Sequence, residues 1–372
     1  VKIVGARIAR LHIPLRTPFV TALRRVDAID DRVLLLVTDA GLVGWGSAAA
    51  TARITGETHG SLVAAWRGHL LPAILGADLE DGLEALSARV ASAMVGNPSA
   101  KAAIEIALHD LEARRRALPL AALLGSAEAV PAPLASDLTI SAGPTAAMVA
   151  DAEAALARGF RALKLKVGTD PAEDLVRLRA LHAAVAGRAS LRIDVNQGWT
   201  ADATVRTLAT LEDEGRVFEL VEQPVPADDL DGMAWIRARI ATPLLADECV
   251  FSPADAKRVI DAGAADLINL KLMKAGGLRP AARIADLARE GGLGLMVGCM
   301  LESPIGVAAA AHFAAALGID RVDLDPPALA THDPLRGNAR FDGPAVTFHA
   351  APGLGLDATD ALDFLPDDPS TT

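Results

Sequence analysis

The hydrophobic period of the chain changes along its length. In the opening segment apolar and polar positions alternate, and Ile3, Ala6 and Ile8 begin one strand. Apolar runs at 33–37 and 42–45 predict two more strands around Asp39-Ala40-Gly41, a hairpin-turn signal. The spacing then becomes helical over 61–75, 83–94 and 99–118, with Ser99 as the expected N-cap of the third helix and Pro119 as its stop. Strands followed by helices predict a separate α+β domain over residues 1–125.

Past this point short apolar runs alternate with helical stretches. The runs are 134–141, 162–168, 191–196, 220–224, 244–248, 267–272, 293–298 and 322–325, with helices such as 146–158, 171–186 and 278–290 between them. A polar residue near the end of each run marks the repeat: Thr139, Lys166, Asp194, Glu222, Asp247, Lys271, Cys299 and Asp325, spaced 24–28 residues apart. Eight strand-plus-helix units predict a (β/α)8 barrel over 126–330. The alternative is an open doubly wound sheet, but no Gly-rich phosphate loop follows the first strand.

Composition narrows the function. Of 372 residues 51% are hydrophobic and 22% charged, enough for a large core and unlike a disordered chain. Aromatics are 3% with no Tyr, so Ala, Leu and Val must do the packing. A net charge of −11 repels phosphate backbones and argues against a nucleic-acid partner. Two cysteines, Cys249 and Cys299, make no disulfide framework and no zinc pattern. The longest apolar stretches are interrupted by Glu302 and His312, short of the ~18–20 residues a membrane span needs. Residues 1–7 contain no apolar leader core, so a cytoplasmic location without membrane attachment is expected.

Barrel enzymes carry their chemistry at the C-terminal ends of the strands. Here those ends are charged: Lys164 and Lys166 on the second, Asp194, Glu222 and Asp247 on the next three, Lys271 on the sixth, Asp323 and Asp325 on the eighth. A single such residue is readily explained by a salt bridge inside the barrel; a full set at one end is not, because buried charge is costly unless paired or metal-bound. Three carboxylates on adjacent strands offer only oxygen, which suits a hard cation, Mg²⁺ before Zn²⁺. The second and sixth strands are opposed in a ring of eight, so Lys166 and Lys271 face each other. One can remove a proton from a carbon and the other deliver one to the opposite face, inverting a stereocentre. That requires amines partly neutral near pH 7, well below the usual ~10.4. Burial and the like charge of Lys164 both act in that direction. A metal-held substrate carboxylate would stabilise the enediolate formed. Cys249 reads as a small buried residue, His312 as a helix residue at the barrel periphery, and Arg114-Arg115-Arg116 as a solvated helix end.

These residues resemble the muconate-lactonising subgroup of the enolase superfamily. The likeness lies in Lys164-Leu165-Lys166, Asp194-Val195-Asn196-Gln197-Gly198-Trp199, Val221-Glu222-Gln223-Pro224, Ala246-Asp247-Glu248, the segment Asn269 to Gly277, and Gly44-Trp45-Gly46 near the N-terminus. The resemblance implies a modified (β/α)8 TIM-type barrel with an N-terminal α+β capping domain, and a segment, 331–372, returning to the cap. Asp323-Leu324-Asp325 is similar to the ending of dipeptide epimerases, where the pair binds a free α-ammonium; two carboxylates on one strand face suit that ion. The family further implies that Thr139, Cys299 and Leu301 position the peptide and that Lys164 helps hold its carboxylate. Residues 18–26 match a mobile loop that closes over the barrel, and Thr21-Ala22-Leu23-Arg24 resembles epimerases acting on L-Ala-D/L-Glu, with Arg24 on the side-chain carboxylate. Ser47 and Cys299 depart from residues common in relatives, Glu and Ser respectively. The expected activity is a Mg²⁺-dependent epimerisation of a small dipeptide by two-lysine proton transfer, with homo-oligomerisation left open. Competing readings are an o-succinylbenzoate synthase or muconate cycloisomerase on the same fold, whose acidic substrates Asp323 and Asp325 would repel, an N-acylamino acid racemase, which would prefer an N-acylated amino acid, and a non-catalytic barrel.

Overall fold

Strand β1 (Ile3–Val20) pairs antiparallel with β2 (Arg25–Thr38), and β2 with β3 (Val43–Ala49). This is a computed structural model, and it describes residues 1–128, 130–335 and 337–366. The segment expected as a loop at 18–26 is mostly strand. The ladder jumps from Pro14↔Ala28 to Phe19↔Val26, leaving the residues between looped out, and only 21–24 form the turn. Pro14 and Pro18 lack the N–H a ladder needs, which accounts for the interruption. Thr21 closes the turn: its N–H donates to the Arg24 carbonyl and its Oγ1 accepts from Leu23 and Arg24 N–H.

Helix α1 (Pro98–Arg115) packs across β3. A Cβ at Gly44 or Gly46 would lie 2.3 Å from the Ala107 carbonyl oxygen or 1.9 Å from that of Ala103, so only glycine permits this approach. Trp45 N–H between them donates to Asp110 Oδ2 at 2.9 Å. Ser99 is not the N-cap. That position belongs to Asn97, at φ 53, and Pro98 starts the helix. The first-turn N–H groups of Ser99 and Ala100 are satisfied by the Glu57 carboxylate, both at 2.9 Å, a partner remote in sequence. Nor are the three arginines at the helix end all solvated: Arg114 is held by Asp110 and Asp357 at 3.0 Å each.

The barrel comprises β4 (Leu138–Ile140), β5 (Ala162–Lys166), β6 (Ser190–Asp194), β7 (Leu220–Glu222), β8 (Leu244–Ala246), β9 (Leu267–Leu270), β10 (Gly294–Gly298) and β11 (Val322–Asp323). They lie side by side in chain order, each ladder parallel, and a Ser136↔Val322 bridge brings the first edge to the last. Helices occupy the connections, among them α2 (Pro304–Leu317) after β10. Odd and even positions separate cleanly on β5: Leu163 and Leu165 are fully buried in the apolar core, while Lys164 and Lys166 reach charged partners on other strands. The run read as one strand at 134–141 divides. Leu134–Ala135 joins a small sheet with Ala339–Asp342 and Ala345–Phe348, and Asp137 turns toward Arg192. Strand β12 (Asp363–Phe364) pairs with β1. His312 lies on α2, outside the ring of strands as expected, and is fully buried, its Nε2 2.6 Å from Asn338 Oδ1, because the 338–354 segment packs over that helix. Among the described residues no helix is long and apolar enough to cross a membrane.

Candidate active site

Two lysines leave β5 on the same face. Lys164 is buried, its Nζ 2.9 Å from Asp194 Oδ2, 2.8 Å from Glu222 Oε2 and 2.8 Å from Asp323 Oδ2. Lys166 Nζ donates to Asp194 Oδ2 at 2.5 Å and to Asn196 Oδ1 at 3.1 Å. From beyond the end of β9, Lys271 Nζ donates to Asp247 Oδ2 at 2.7 Å and lies 3.8 Å from Glu222 Oε1. One turn further on, Lys274 Nζ stands 2.6 Å from Asp247 Oδ1. The lysines and carboxylates at the strand ends thus form one buried network. Thr139 and Cys299 border it: Thr139 N–H donates to Asp325 Oδ2 at 2.7 Å, and Cys299 Sγ donates to the Asp323 carbonyl at 3.3 Å.

Asp323 and Asp325 do not share one strand face. Strand β11 stops at Asp323, and Asp325, at φ −85 and ψ −11, begins a short turn of helix at Pro326–Leu329. Pro326 and Pro327 cannot continue a ladder. The two carboxyls still feel each other: burial raises the Asp325 carboxyl and the charge of Asp323 adds to that rise.

Backbone strain sits beside the acidic ends. Asn196, Gln197 and Gln223, just past Asp194 and Glu222, have φ of 46, 68 and 33. Left-handed non-glycine residues are costly and persist where the surroundings over-determine them. At Gln223 the surroundings are visible. Its Nε2 donates to the Val225 carbonyl at 3.0 Å, while its Oε1 accepts from Asp247 N–H at 3.1 Å and Cys249 N–H at 3.3 Å. One amide therefore sets Glu222 and Asp247 relative to each other. Asn269 Nδ2 donates to Glu222 Oε1 at 2.9 Å, and Asn196 Nδ2 to Glu248 Oε1 at 3.2 Å. Sequence reasoning assigned no role to Asn196, Gln223, Asn269 or Lys274. The available signal was an amide directly after an acidic strand end, and a lysine one helical turn past Lys271.

Lys164 and Lys271 are not neutral in this arrangement. Burial pushes Lys271 down, but Asp247, Glu222 and Asp323 outweigh it and hold its ammonium above the usual lysine range. Lys164 is held higher in the same way, burial being overcome by Asp194, Asp323, Glu222 and Asp247. Asp247 is kept well below the carboxylate range: burial opposes this, but Lys271, Lys274 and Lys164 prevail. Glu222 goes the other way, raised by burial and by repulsion from Asp194. The Cys299 thiol is pushed well up by burial and nearby carboxylates and stays protonated.

The donor chemistry suits a hard cation. Asp194, Glu222 and Asp247 on adjacent strands present buried oxygens alone. Glu222 Oε2 and Asp247 Oδ1 are buried without a hydrogen bond and meet only ammonium groups. Among the described residues no three acidic, His or Cys side chains stand ready-gathered around one point. Lysine ammoniums lie between the carboxylates instead, the Lys164 cation bridging Asp194 and Glu222. The site therefore already balances its carboxylates with positive charge.

The cap hairpin closes over this network. The Phe19 ring centroid is 5.8 Å from Lys166 Nζ, Val20 N–H donates to Ser141 Oγ at 3.1 Å, and Ala142 N–H donates to the Val20 carbonyl at 3.0 Å. Arg24 and Leu301 stand outside the ionic network. Arg24 is half-buried, and among the described residues its guanidinium has no ion pair or side-chain hydrogen bond. Burial lowers its pKa, and the charge of Asp31 counters this.

Family models match both parts of the chain. The mandelate racemase / muconate lactonizing enzyme N-terminal domain matches residues 3–125, and the enolase C-terminal domain-like model residues 147–362. The chain belongs to the enolase superfamily, in its mandelate racemase / muconate lactonizing enzyme branch. It is 42% identical over 351 residues to an L-Ala-D/L-Glu epimerase of Clostridium acetobutylicum, covering 94% of this chain and 97% of that one. The substrate-liganded L-Ala-D/L-Glu epimerase of Bacillus subtilis superposes with a TM-score of 0.92 at 41% identity, over 96% of this chain and 99% of that one. A dipeptide epimerase of Enterococcus faecalis V583, complexed with Mg and L-Leu-L-Tyr, superposes with a TM-score of 0.91 at 34% identity, over 96% and 100%. Curated relatives it matches include epimerases and a racemase, and this chain is an isomerase.

Proposed function

We propose that this chain epimerises the C-terminal residue of a dipeptide, with L-Ala-L-Glu as the leading substrate and Mg²⁺ as the cofactor. The observation that carries the reading is the pair of buried lysines, Lys166 and Lys271, on opposed barrel positions around one carboxylate network. Asp194, Glu222 and Asp247 would hold the metal, and Lys164 would donate to the substrate carboxylate. Bound there, Mg²⁺ supplies positive charge that stabilises the negative charge developing on that carboxylate. With the acidic groups engaged by a cation, their hold on the lysine ammoniums weakens and burial lowers the lysine pKa values toward neutrality. Lys166 then takes the α-proton from one face and Lys271 delivers a proton to the other. The next turnover starts after the two amines have re-equilibrated with solvent, or runs in reverse. Phe19 and the cap hairpin exclude water during the transfer.

Substrate selection follows from the remaining groups. Asp323 and Asp325 meet the dipeptide ammonium, with Thr139 fixing Asp325. Cys299 and Leu301 line the peptide. Arg24, desolvated and among the described residues without a carboxylate in reach of an ion pair, fits an acidic second side chain. The division into a cap at 1–125, a barrel at 126–330 and a returning segment at 331–372 belongs to the same reading.

The test is proton NMR in D₂O with Mg²⁺. L-Ala-L-Glu should lose its C-terminal α-proton signal and give L-Ala-D-Glu. If no L-Ala-L-Xaa dipeptide exchanges that proton, the epimerase reading is wrong.

A further inference from the structure

A buried carboxylate outside this machinery ties the cap to the barrel. Asp31 lies on β2 and is 1% exposed, yet it makes no ion pair among the described residues. Its Oδ2 accepts the backbone N–H of Ser303 at 2.7 Å. Ser303 stands at the N-cap position of α2, but its hydroxyl does not cap its own helix. The hydroxyl donates to Ser47 Oγ on β3 at 2.8 Å instead. Both hydrogen bonds of a fully buried helix start are therefore supplied by the cap. A carboxylate suits that place, since helix N-termini carry partial positive charge. Burial pushes the Asp31 carboxyl up to about 7, against the hydrogen bonds from Ser303.

The segment so tied is the one that contains Cys299 and Leu301. Its other fastenings are local or on the barrel side: Met300 N–H donates to Glu302 Oε1 at 2.9 Å, and Cys299 Sγ to the Asp323 carbonyl. Asp31 is also the charge that counters the desolvation of Arg24, in the turn just before the same strand. We infer that Asp31 is a positioning residue that docks the 299–303 segment onto the cap and so sets the substrate-facing wall formed by Cys299 and Leu301. It touches neither substrate nor reacting atoms. The kinetic consequence rests on the epimerase reading above; the structural one does not.

Two readouts on the full-length, Mg²⁺-loaded protein separate them. In hydrogen–deuterium exchange, the amides of 299–303 should exchange roughly tenfold faster in Asp31→Ala, the equivalent of one lost hydrogen bond to a charged acceptor. Protection should be wild-type in Asp31→Asn, which keeps an oxygen for Ser303 N–H. In steady-state kinetics with L-Ala-L-Glu, Asp31→Ala should raise KM roughly tenfold with kcat little changed, and Asp31→Asn should restore KM. Should Asp31→Ala fail to fold, Ser47→Ala removes the second tie and should show the same changes at smaller amplitude. Unchanged protection of 299–303 overturns the inference whatever the activity. So does a KM that stays at the wild-type value, or a loss confined to kcat. If the wild type exchanges no dipeptide α-proton, the epimerase reading fails and hydrogen exchange alone decides the docking role.

Discussion

The barrel holds two ionic clusters on the same strands, one buried and one half-buried, and they are built differently. Toward the N-terminal ends, Arg192 Nη1 donates to Asp137 Oδ2 at 2.8 Å and to the Val322 carbonyl at 2.9 Å, while its Nε and Nη2 hold the Glu219 carboxylate at 2.9 and 3.2 Å. Arg321 adds a bond of 2.8 Å to the same Glu219. Four of the five guanidinium N–H groups are engaged, and the group cannot release a proton. Two residues along β6, Asp194 belongs to the other cluster, where the cations are lysines. The lysines there share carboxylates, Lys164 reaching three of them, and Glu222 Oε2 and Asp247 Oδ1 are buried without a hydrogen bond. The difference lies in the cations: arginine, which cannot give up a proton, in the first cluster and lysine, which can, in the second, while each cluster keeps a buried carboxylate oxygen without a hydrogen bond, Asp137 Oδ1 in the first.

Breaking the upper cluster should cost activity before stability. Lys166→Ala and Lys271→Ala should each lose at least about 10²–10⁴-fold in epimerisation, the usual weight of a general base. Each should still exchange the α-proton of one epimer, since one amine serves one face; both variants epimerising normally would make the lysines structural. Glu222→Gln removes a charged ligand, so the rise in melting temperature on adding Mg²⁺ should shrink and epimerisation should cease. Activity that persists in this variant with EDTA present would remove the metal assignment.

Breaking the lower cluster should do the reverse. Arg192→Ala leaves the buried Asp137 without its cation and Glu219 with Arg321 alone, and unfolding free energy should fall by about 3–5 kcal/mol in denaturant titration. The kcat of the folded fraction should stay near wild type; if kcat collapses while stability holds, the contrast between the clusters is wrong. A smaller effect concerns selectivity. Arg24→Ala should weaken use of L-Ala-L-Glu by about 1.5–3 kcal/mol, the weight of a charged hydrogen bond, with little change for L-Ala-L-Leu. Equal losses on both would detach Arg24 from side-chain choice.

The smallest effect is one of pH. Burial works to raise Glu219, but Arg192 and Arg321 bring its carboxyl down to about 2, below its ordinary 4.5. A depressed carboxyl contributes stability that is complete above the unfolded value and is lost as pH falls toward the folded one. Between pH 5 and 2 the wild type should therefore lose melting temperature more steeply than Glu219→Gln. Parallel curves would show that the lower cluster does not carry that stabilisation.

The sequence by itself determined the barrel and the chemical character of its mouth. Charged strand ends recurring every 24–28 residues place Lys166, Asp194, Glu222, Asp247 and Lys271 at one end, because strand alternation and a right-handed repeat leave them nowhere else. The glycines of Gly44-Trp45-Gly46 were legible as a motif, but their reason, the carbonyls of Ala103 and Ala107 pressed against them, belongs to helix packing. Where an element ends was less legible. Phe19 and Val20 read as loop but pair as strand, and Asp325 reads as strand but turns into helix, since local pattern cannot weigh a proline against the contacts on either side. Only the tertiary structure decided that Lys164 bridges carboxylates from three other strands, that Gln223 fixes Asp247, and that Asp31 meets Ser303 across 272 residues. Such contacts depend on how the cap seats on the barrel, and no local periodicity encodes the meeting of two surfaces so far apart in the chain.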